Sequence, residues 1–466
     1  MARPRQVDPG ALALRLKAKG PLTAQMLAAA LHVNRSSVSR GLALPEISPQ
    51  LVKLGTTRGA TYALRRSVRG IGDTFPVRRI DASGRAHDWA QLVAMHGGWQ
   101  VVWADSPGPF HQLSGLLGIG GYAEGFPFFL SELRPQGFLG RAIGRVVSST
   151  LNLPPDPRGW DDDDTLVYLQ AAGDNLPGDL IVGDGPLARF HRRIVDNLPG
   201  IAAEDRVARY PELATAATSS SSAGSSVEGE QPKFLLPIQE GDTITQVLVK
   251  FTDSLATATG RRWADLLVAE AHAQAIFHRH GECHAVPRLI DAGDRRFLES
   301  PRYDRVGAHG RLGVVSLRSL HDAFSGRDAN QWPAAAAHLH ASGLIDAGAL
   351  RSIRLRHAFG QLIGNSDMHF GNLAFWSPGN LPFRLAPAYD MLPMLWAPTV
   401  GSATPYPEFS PPVPLPAERA IWSEAAAWAV ELWRRVNEDE RVSAEFAAVA
   451  RASGAVVARL RQHFGA

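Results

Sequence analysis

The stretch Asp367-Met-His-Phe-Gly-Asn372 decides the fold of this chain, together with Asp390, which follows eighteen residues later. Asp367 offers an acceptor for a hydroxyl proton. Asn372 offers an amide oxygen, and Asp390 offers a second carboxylate with which it can share a Mg²⁺ ion. Phosphoryl transfer needs this set of groups, because its catalysis consists mostly of positioning and charge neutralisation. The motif therefore indicates a kinase-like chain.

Lysine is rare in this chain, and its placement supports the same interpretation. There are 43 arginines but only five lysines, and beyond residue 80 only Lys233 and Lys250 remain. Both precede the Asp367 motif, where a kinase-like fold has its phosphate-binding segment. Arginine does not replace lysine where a compact point charge must meet phosphates or a buried carboxylate. The two lysines are therefore candidate phosphate-binding residues.

The composition is that of a soluble globular protein with two to four domains, since the 466 residues are 45% hydrophobic and 20% charged. The first residues carry charge without a following apolar run, so we expect no signal peptide. No stretch of about 20 apolar residues occurs, which argues against a membrane span or a membrane partner. The only cysteine, Cys283, cannot form an internal disulfide. We therefore expect a cytoplasmic protein.

The charge is distributed unevenly along the chain. Residues 1–80 carry 14 Lys/Arg and three Asp/Glu, a net charge of +11. The remaining residues carry 34 Lys/Arg and 42 Asp/Glu, a net charge of −8. A basic head on an acidic body predicts a polyanionic partner for the head alone.

The pattern within the basic head predicts a helix-turn-helix. A helix over residues 22–31, with Thr23 as its N-cap, is joined by a short turn to a second helix over residues 35–42. Val38 and Leu42 lie four residues apart, so both are expected to face inward. The residues that can face outward are Arg35, Ser36, Ser37, Ser39 and Arg40. This arrangement is typical of a recognition helix that enters the major groove of DNA.

Residues 51–55 and 61–64 are two strand-like runs that complete a winged helix-turn-helix domain over residues 1–70. We expect this domain to bind duplex DNA through arginines and short polar side chains, and the protein to associate with the nucleoid when it does so. The alternative is a small helical interaction module that never touches DNA. The residues expected to contact DNA are Arg35, Ser36, Ser37 and Arg40 on the second helix and Arg58 at the tip of the wing.

Three further domains are expected, and they define an α+β fold class. Residues 71–195 contain short apolar runs typical of a mixed α/β subdomain, in which the acidic run 161–164 favours a solvated turn over a metal site. Residues 196–310 are expected to form an ATP-binding N-lobe. Residues 311–466 are expected to form a helical C-lobe that carries the catalytic and metal-binding residues.

The N-lobe pattern predicts a phosphate loop and an ion pair. The stretch 214–226 consists of small residues and is interpreted as a loop that enters a β-hairpin and brings backbone amides over phosphates. Lys250 ends the second strand, over residues 243–251, and Glu270 lies on a following helix. A helix carboxylate that pairs with a strand lysine is a recurring part of kinases. We therefore predict a Lys250–Glu270 pair.

Together these motifs resemble the HipA-type serine/threonine kinases, and more narrowly their longer YjjJ-like (HipH-like) branch, which carries its own winged helix. The resemblance covers roughly residues 70–466 and implies a two-lobed HipA fold in a toxin of the toxin–antitoxin type. The matching stretches are Ser226-Val-Glu-Gly-Glu-Gln-Pro-Lys233, Val249-Lys250-Phe251, Pro301-Arg-Tyr-Asp-Arg305, Asn365-Ser-Asp-Met-His-Phe-Gly-Asn372 and Ala388-Tyr-Asp390.

The resemblance implies an ATP- and Mg²⁺-dependent kinase that phosphorylates a protein serine. Asp367 is similar to the family's catalytic base, and Asn372 and Asp390 are similar to its Mg²⁺ ligands. Lys250 matches the lysine that contacts the ATP phosphates. Family members phosphorylate an aminoacyl-tRNA synthetase, so a synthetase or another translation factor is the implied protein substrate.

The resemblance also implies how the nucleotide is held. Adenine is expected at a hinge, on the carbonyl of Pro301 and the N–H of Tyr303. A phosphoserine beside the ATP anions would expel the phosphate loop and silence the kinase, because it adds a charge of almost −2. The implied phosphate loop contains Val227, Glu228, Gly229, Gln231 and Lys233, and its implied autophosphorylation site is Ser226.

Three questions stay open at the level of sequence. His369 either contacts the γ-phosphate or braces the loop. Family members often carry lysine directly before the motif's asparagine, where this chain has Gly371, and this form of the motif is closer to small-molecule kinases of the aminoglycoside phosphotransferase type. The remaining alternative is a DNA-binding transcriptional regulator whose kinase fold serves as an ATP sensor.

Overall fold

The computed structural model describes residues 7–56, 59–104, 111–196, 199–219, 231–325, 331–377, 379–398 and 406–464. The chain divides into two compact units. The first comprises Met1–Arg134, Val147–Asp196 and Pro378–Asn380, and the second comprises Pro135–Val146, Asn197–Ser377 and Leu381–Ala466. No helix among the described residues is long and apolar enough to cross a membrane.

The basic head forms three helices and a three-stranded antiparallel sheet with the strand order β1-β3-β2. This is the element order of a winged helix, and it follows the predicted boundaries closely. The elements are α1 (Pro9–Lys19), β1 (Leu22–Thr23), α2 (Ala24–Leu31), α3 (Arg35–Leu42), β2 (Leu51–Leu54) and β3 (Thr61–Leu64).

Side-chain caps fix the starts of α2 and α3. The Oδ1 of Asn34 accepts a hydrogen bond from the backbone N–H of Ser37 at 2.8 Å, which caps α3. The Thr23 hydroxyl accepts a hydrogen bond from the backbone N–H of Met26, as its predicted N-cap role requires. Val38 and Leu42 are buried, as predicted, but Ser37 is buried too. Its expected place on the outward face is therefore wrong. Ser37 directly precedes Val38 on the inner edge of the helix, and a serine is small enough to be buried there.

The next part of the chain forms a five-stranded antiparallel sheet with the order β7-β6-β5-β4-β8, as expected for a mixed α/β region. In chain order, the elements of this part of the chain are β4 (Thr74–Ile80), β5 (Ala86–Met95), β6 (Gly98–Trp103), α4 (His111–Ser114), β7 (Tyr122–Ala123), α5 (Phe128–Ser131), α6 (Gly137–Leu151), α7 (Asp162–Ala172), β8 (Leu180–Val182) and α8 (Asp184–Asp196).

The composition of the acidic run 161–164 favoured a solvated turn, and this interpretation is wrong. Asp161 is the N-cap of α7 and forms a capping box with Asp164. Asp163 accepts two hydrogen bonds from the guanidinium of Arg66, at 2.6 and 2.7 Å. Carboxylates are favoured in the first turn of a helix, where the positive end of the helix dipole lies. The run is therefore a helix start that also anchors a distant arginine.

The wing of the head packs directly on the five-stranded sheet. Val52, Leu54 and Ala63 of the wing form one buried apolar cluster with Val93 and Met95 of β5. The two sheets are also joined through the main chain, because the N–H of His96 donates to the carbonyl of Leu64 at 2.8 Å. The head is thus continuous with the middle sheet in one compact unit.

The second unit begins with a five-stranded sheet of order β12-β13-β11-β10-β9, followed mainly by helices. The elements are β9 (Ile201–Ala202), α9 (Arg206–Ser219), β10 (Lys233–Glu240), β11 (Thr243–Phe251), α10 (Ala258–Arg279), β12 (Arg288–Ala292), β13 (Arg295–Pro301), β14 (Arg305–Val306), β15 (Gly310–Arg311), β16 (Val314–Ser316), α11 (Leu317–Phe324), α12 (Trp332–Ala341), α13 (Ala347–Leu362), β17 (Ala374–Trp376), β18 (Arg384–Leu385), α14 (Arg419–Glu438) and α15 (Ala444–Phe464).

The loop predicted over residues 214–226 is wrong in its first part, because α9 continues to Ser219. Tyr210 and Ala214 of this helix are fully buried in the same apolar cluster as the strand residues Phe234 and Phe297. Packing against the sheet therefore outweighs the loop-like composition of this segment. The remainder of the predicted loop lies outside the described residues.

Candidate active site

Lys250 is the centre of a buried ion cluster. It lies on β11, where it pairs directly with Lys233 of β10 and with Leu298 of β13. Its Nζ atom donates to both carboxylate oxygens of Glu270 on α10, at 2.6 and 2.7 Å, and to Oδ1 of Asp390. The structure therefore forms the predicted Lys250–Glu270 pair and adds Asp390 to it.

The charges in this cluster do not cancel, because one ammonium faces two carboxylates. Burial disfavours the charged form of Lys250, but Asp390 and Glu270 outweigh that cost and raise its pKa. Burial raises the pKa of Glu270 despite the attraction of Lys250. Burial acts in the same direction on Asp390, where Lys250 and Lys233 outweigh it and lower the pKa to about 2. Asp390 is therefore ionised at neutral pH and can meet a cation.

Asn365 joins the segments that carry Asp367 and Asp390. Its Oδ1 accepts a hydrogen bond from the backbone N–H of Asp367 at 3.0 Å, and its Nδ2 donates to the backbone carbonyl of Asp390 at 3.3 Å. Sequence reasoning quoted Asn365 within the motif but gave it no role. The Asp367 residue itself is exposed, which a base that meets the hydroxyl of another molecule requires.

The two expected metal ligands come from different segments. Asn372 ends a short 3-10 turn over Phe370–Asn372, and its Nδ2 donates to the backbone carbonyl of Asp367 at 2.8 Å. Asp390 has a φ of 53°, a left-handed conformation that is uncommon for residues other than glycine. Backbone strain of this kind clusters at functional sites, where the surroundings hold it in place.

The side chain of His369 stabilises the loop over residues 367–372 by a hydrogen bond inside it. Its Nδ1 accepts a hydrogen bond from the backbone N–H of Gly371 at 3.0 Å, so the ring carries its proton on Nε2. Its backbone carbonyl accepts a hydrogen bond from Nε1 of Trp332 on α12, also at 3.0 Å. The bracing role is thus present in the structure, and contact with a γ-phosphate stays a prediction. Trp332 was not singled out in the sequence.

The hinge residues connect to the same loop through aromatic rings. Pro301 ends β13 opposite Val247, and Tyr303 stacks on Tyr389 with ring centroids 5.7 Å apart. The hydroxyl of Tyr389 donates to the backbone carbonyl of Gly371 at 2.7 Å. Tyr389 therefore links the predicted hinge to the segment 367–372, a role that the sequence pattern did not indicate.

The remaining predicted residues divide between described and undescribed parts of the chain. Gln231 is buried and Lys233 half-buried, and Lys233 lies beside Lys250 across the hairpin. The side chains of Arg35, Ser36 and Arg40 are exposed on α3, as predicted. Outside the described residues lie Arg58 of the wing and Ser226, Val227, Glu228 and Gly229 of the phosphate loop.

The donor atoms of this site fit a hard cation and a polyphosphate. Asn372 uses its amide nitrogen on Asp367, which leaves its oxygen as the donor to a metal. A carboxylate and an amide oxygen suit Mg²⁺, which is commonly completed by phosphate oxygens and water. No group of three His, Cys, Asp or Glu side chains with metal-binding geometry occurs among the described residues. The protein ligands alone are therefore too few for a dedicated metal cage.

Comparison with known proteins identifies the family. A family model described as the YjjJ-like toxin, middle domain, matches residues 71–191, and one described as the HipA-like C-terminal domain matches residues 225–457. Toxin YjjJ of Escherichia coli (strain K12) is 35% identical over 435 residues, which cover 93% of this chain and 94% of that protein. The chain belongs to the YjjJ-like branch of the HipA toxins. The family resemblance found in the sequence is thereby confirmed.

One solved structure supports the HipA fold of this YjjJ-like chain, and another is similar to only part of it. A Helicobacter pylori proinflammatory kinase, CtkA, aligns over 49% of this chain and 90% of its own, with 12% identity and a TM-score of 0.33. A chain of the Shewanella oneidensis MR-1 toxin–antitoxin complex of HipA, HipB and operator DNA aligns over 84% of this chain and 97% of its own. Its identity is 15% and its TM-score 0.50. The predicted α+β, HipA-like kinase fold is confirmed.

Proposed function

We propose that this chain is an ATP- and Mg²⁺-dependent protein kinase that transfers the γ-phosphate to a serine of another protein. The observation that carries the proposal is the buried Lys250, which holds Glu270 of α10 and Asp390 at the same time. A kinase needs the strand lysine paired with the helix carboxylate and the metal-binding aspartate in place together. Membership in the HipA toxins supports the same activity.

Each residue of the site has a separate role in the proposed reaction. Asp367 would take the proton of the acceptor hydroxyl as that oxygen attacks phosphorus, while the bond between phosphorus and the bridging oxygen breaks and ADP leaves. Lys250 and Lys233 would hold phosphate oxygens. Asn372 and Asp390 would hold Mg²⁺, which neutralises charge on the phosphates. Asn365 keeps the catalytic loop and the Asp390 segment in register.

The experiment for this proposal combines activity with substrate capture. The full-length chain is incubated with γ-labelled ATP, Mg²⁺ and a cell lysate, beside Asp367→Asn and a control, Asp242→Asn. Asp242 is exposed and lies at the turn of the β10–β11 hairpin, at the end opposite Lys250. We expect labelled serine with the wild type and with Asp242→Asn, and none with Asp367→Asn. Equal labelling by all three chains would contradict the proposal.

The same experiment separates the other functions considered from the sequence. An ATP sensor would bind nucleotide without labelling any protein, and a kinase of the aminoglycoside type would transfer label to a small molecule. The exposed position of Asp367 supports a large acceptor. Identification of the labelled lysate protein would show directly whether the substrate is an aminoacyl-tRNA synthetase, as the family resemblance implies.

We also propose that the head binds duplex DNA and that the kinase regulates itself at Ser226. Arg35 and Arg40 are exposed on α3 within a region of net charge +11, which supports the first proposal. A structural neighbour forms a complex with HipB and operator DNA, and we expect this chain to have DNA and an antitoxin as partners. Phosphate analysis of the purified chain tests for autophosphorylation of Ser226, with Ser226→Ala as the control.

A further inference from the structure

Arg318 is an exposed cation beside the catalytic loop. A Cβ placed on Gly371 would lie 3.9 Å from Nε of Arg318 and 2.9 Å from Cε1 of His369. Gly371 therefore lies close to both the guanidinium of Arg318 and the imidazole of His369. Arg318, Asp367 and His369 are all exposed.

The backbone position of Arg318 is held by contacts of its neighbours along α11. The backbone N–H of Leu317 donates to the carbonyl of Leu373 at 2.7 Å. One turn later, the ring of His321 packs on that of Phe370, with centroids 4.8 Å apart. Both contacts reach the segment 370–373. These contacts therefore hold the backbone of Arg318 beside the segment 370–373.

Arg318 has no carboxylate within salt-bridge distance among the residues that the structure describes. Asp322, four residues along α11, is mostly exposed and lies 3.6 Å from Nδ1 of His321 instead. An exposed arginine beside the segment that carries the expected base, with no described carboxylate within salt-bridge distance, is suited to an anionic group that arrives with the substrate.

We propose that Arg318 determines substrate specificity by binding an acidic side chain just C-terminal to the acceptor serine. This inference rests on the kinase function proposed above. The chain contains a stretch that meets the requirement, because Ser226 is followed by Glu228 and Glu230. A segment of this sequence from a second copy, or a peptide of it, would present a carboxylate two residues after the hydroxyl.

The test uses the full-length chain and three peptides of residues 223–233 in which Ser225→Ala leaves one acceptor. One peptide keeps both glutamates, one carries Glu228→Gln and Glu230→Gln, and one carries lysine at both places. We expect the wild type to use the acidic peptide at least about tenfold better than the glutamine peptide in kcat/KM. Arg318→Ala should use both peptides equally, with its KM for ATP unchanged.

Charge reversal and a matched control sharpen the result. Arg318→Glu should prefer the lysine peptide over the acidic one. Arg354→Glu reverses another exposed arginine, on α13, and should keep the wild-type preference. The inference is overturned if Arg318→Ala still prefers the acidic peptide. It is also overturned if this variant loses activity equally on all peptides with a raised KM for ATP, since Arg318 would then meet the nucleotide's phosphates.

The outcome also distinguishes this inference from the proposed function. A wild-type chain that labels a lysate protein but none of the peptides overturns the role of Arg318 and leaves the kinase function standing. A wild-type chain that labels neither overturns both.

Discussion

The side-chain amide of Asn372 donates a hydrogen bond to the backbone carbonyl of Asp367, 2.8 Å away. This bond closes the loop between the expected base and the expected metal ligand without using the carboxylate of Asp367. The backbone N–H of Asp367 is held separately by Asn365. Both bonds reach the main chain of Asp367, so neither is lost when its side chain is replaced.

Asp367→Ala should therefore separate catalysis from nucleotide binding. We expect phosphoryl transfer to fall by about 10²- to 10⁴-fold, because the base is lost, while ATP affinity stays within a few fold. Asp390→Ala should instead abolish Mg²⁺-dependent ATP binding. Calorimetric titration with ATP, with and without Mg²⁺, measures both affinities. Near-full activity of Asp367→Ala would contradict the assignment of the base.

Lys250→Arg should weaken ATP binding by tenfold or more, although the charge is kept. The ammonium is buried between Glu270 and Asp390, and a forked guanidinium cannot take the place of a compact charge there. Lys53→Arg, on an exposed strand position of the wing, is the matched control. An unchanged affinity in Lys250→Arg would show that the near-absence of lysine beyond residue 80 has no functional meaning.

Lys250→Met should also lower stability, by about 3–5 kcal/mol, because it leaves the buried carboxylate of Glu270 and the half-buried one of Asp390 without their cation. The free energy of unfolding of the second unit, measured in urea, checks this value. The double change Lys250→Met with Glu270→Gln should recover part of the loss, since it removes one of the unpaired charges. A loss that is unchanged or larger in the double variant would contradict the explanation.

His357 should make the second unit sensitive to acid. Burial lowers the pKa of His357 to about 4 from an ordinary value of 6.5. The unfolded chain therefore binds a proton that the folded chain excludes, so stability falls as the pH drops below 6.5 and towards 4. The linkage relation gives a loss of about 2 kcal/mol between pH 7.5 and 5. Urea titrations of wild type and His357→Gln isolate this contribution; equal pH dependence would contradict it.

Local signals account for what could be predicted from the sequence. The Thr23 cap gave the start of α2, and a strand-like run gave the boundaries of β11. The place of Glu270 on the helix that follows Lys250 gave the pair of these two residues. Long-range pairing accounts for the failures. The partner of Asp163 is Arg66, 97 residues away, and no local pattern indicates such a contact.

Tertiary packing explains the other corrections. Residues 214–219 have a loop-like composition, but Tyr210 and Ala214 are buried on the sheet, and the helix follows from that burial. Asn365 and Tyr389 escaped notice because their roles depend on hydrogen bonds between the segment around residue 390 and the catalytic loop. Such bonds exist only once the fold has brought the two segments together.

Residues 1–70 alone should be poorly folded, because the wing shares its core with the middle sheet. Without β5, Val52 and Leu54 lose the cover of Val93 and Met95. Exposure of a buried Val or Leu costs about 1.5–3 kcal/mol, and two of them approach the whole stability of a small domain. Circular dichroism and thermal melting of the fragment test this. A cooperative melting transition near that of the full chain would contradict it.

A close contact between Gly97 and Gly20 allows the packing of the head on the middle sheet to be tested in the full chain. A Cβ on Gly97 would come within 2.3 Å of the Cα of Gly20, which no small adjustment of side chains can relieve. Gly97→Ala should therefore lower the melting temperature of the first unit. Gly70→Ala, also in the first unit, should do so much less, because nothing lies within 4 Å of the added carbon there, although φ is positive at both glycines.

The corrected position of Ser37 changes what is expected of the DNA-binding surface. Arg40 donates from its guanidinium to the buried hydroxyl of Ser37, at 3.3 Å, and to the carbonyl of Ser36, at 3.4 Å. Both contacts orient the arginine on the exposed side of α3. Arg40, rather than Ser37, is therefore the residue expected to reach a base edge in the major groove.

Arg40→Ala in the full-length chain should weaken binding to a duplex selected from a random library by about 1–3 kcal/mol and relax its sequence preference. Ser37→Ala should change affinity only a few fold, because the hydroxyl orients Arg40 without reaching DNA. Arg85→Ala, an exposed arginine of the middle sheet region, controls for the loss of charge alone. Gel-shift titrations over a range of salt concentrations give the affinities, and wild-type affinity should fall steeply with salt. If Ser37→Ala and Arg40→Ala lose the same sequence preference, α3 meets DNA through a different face.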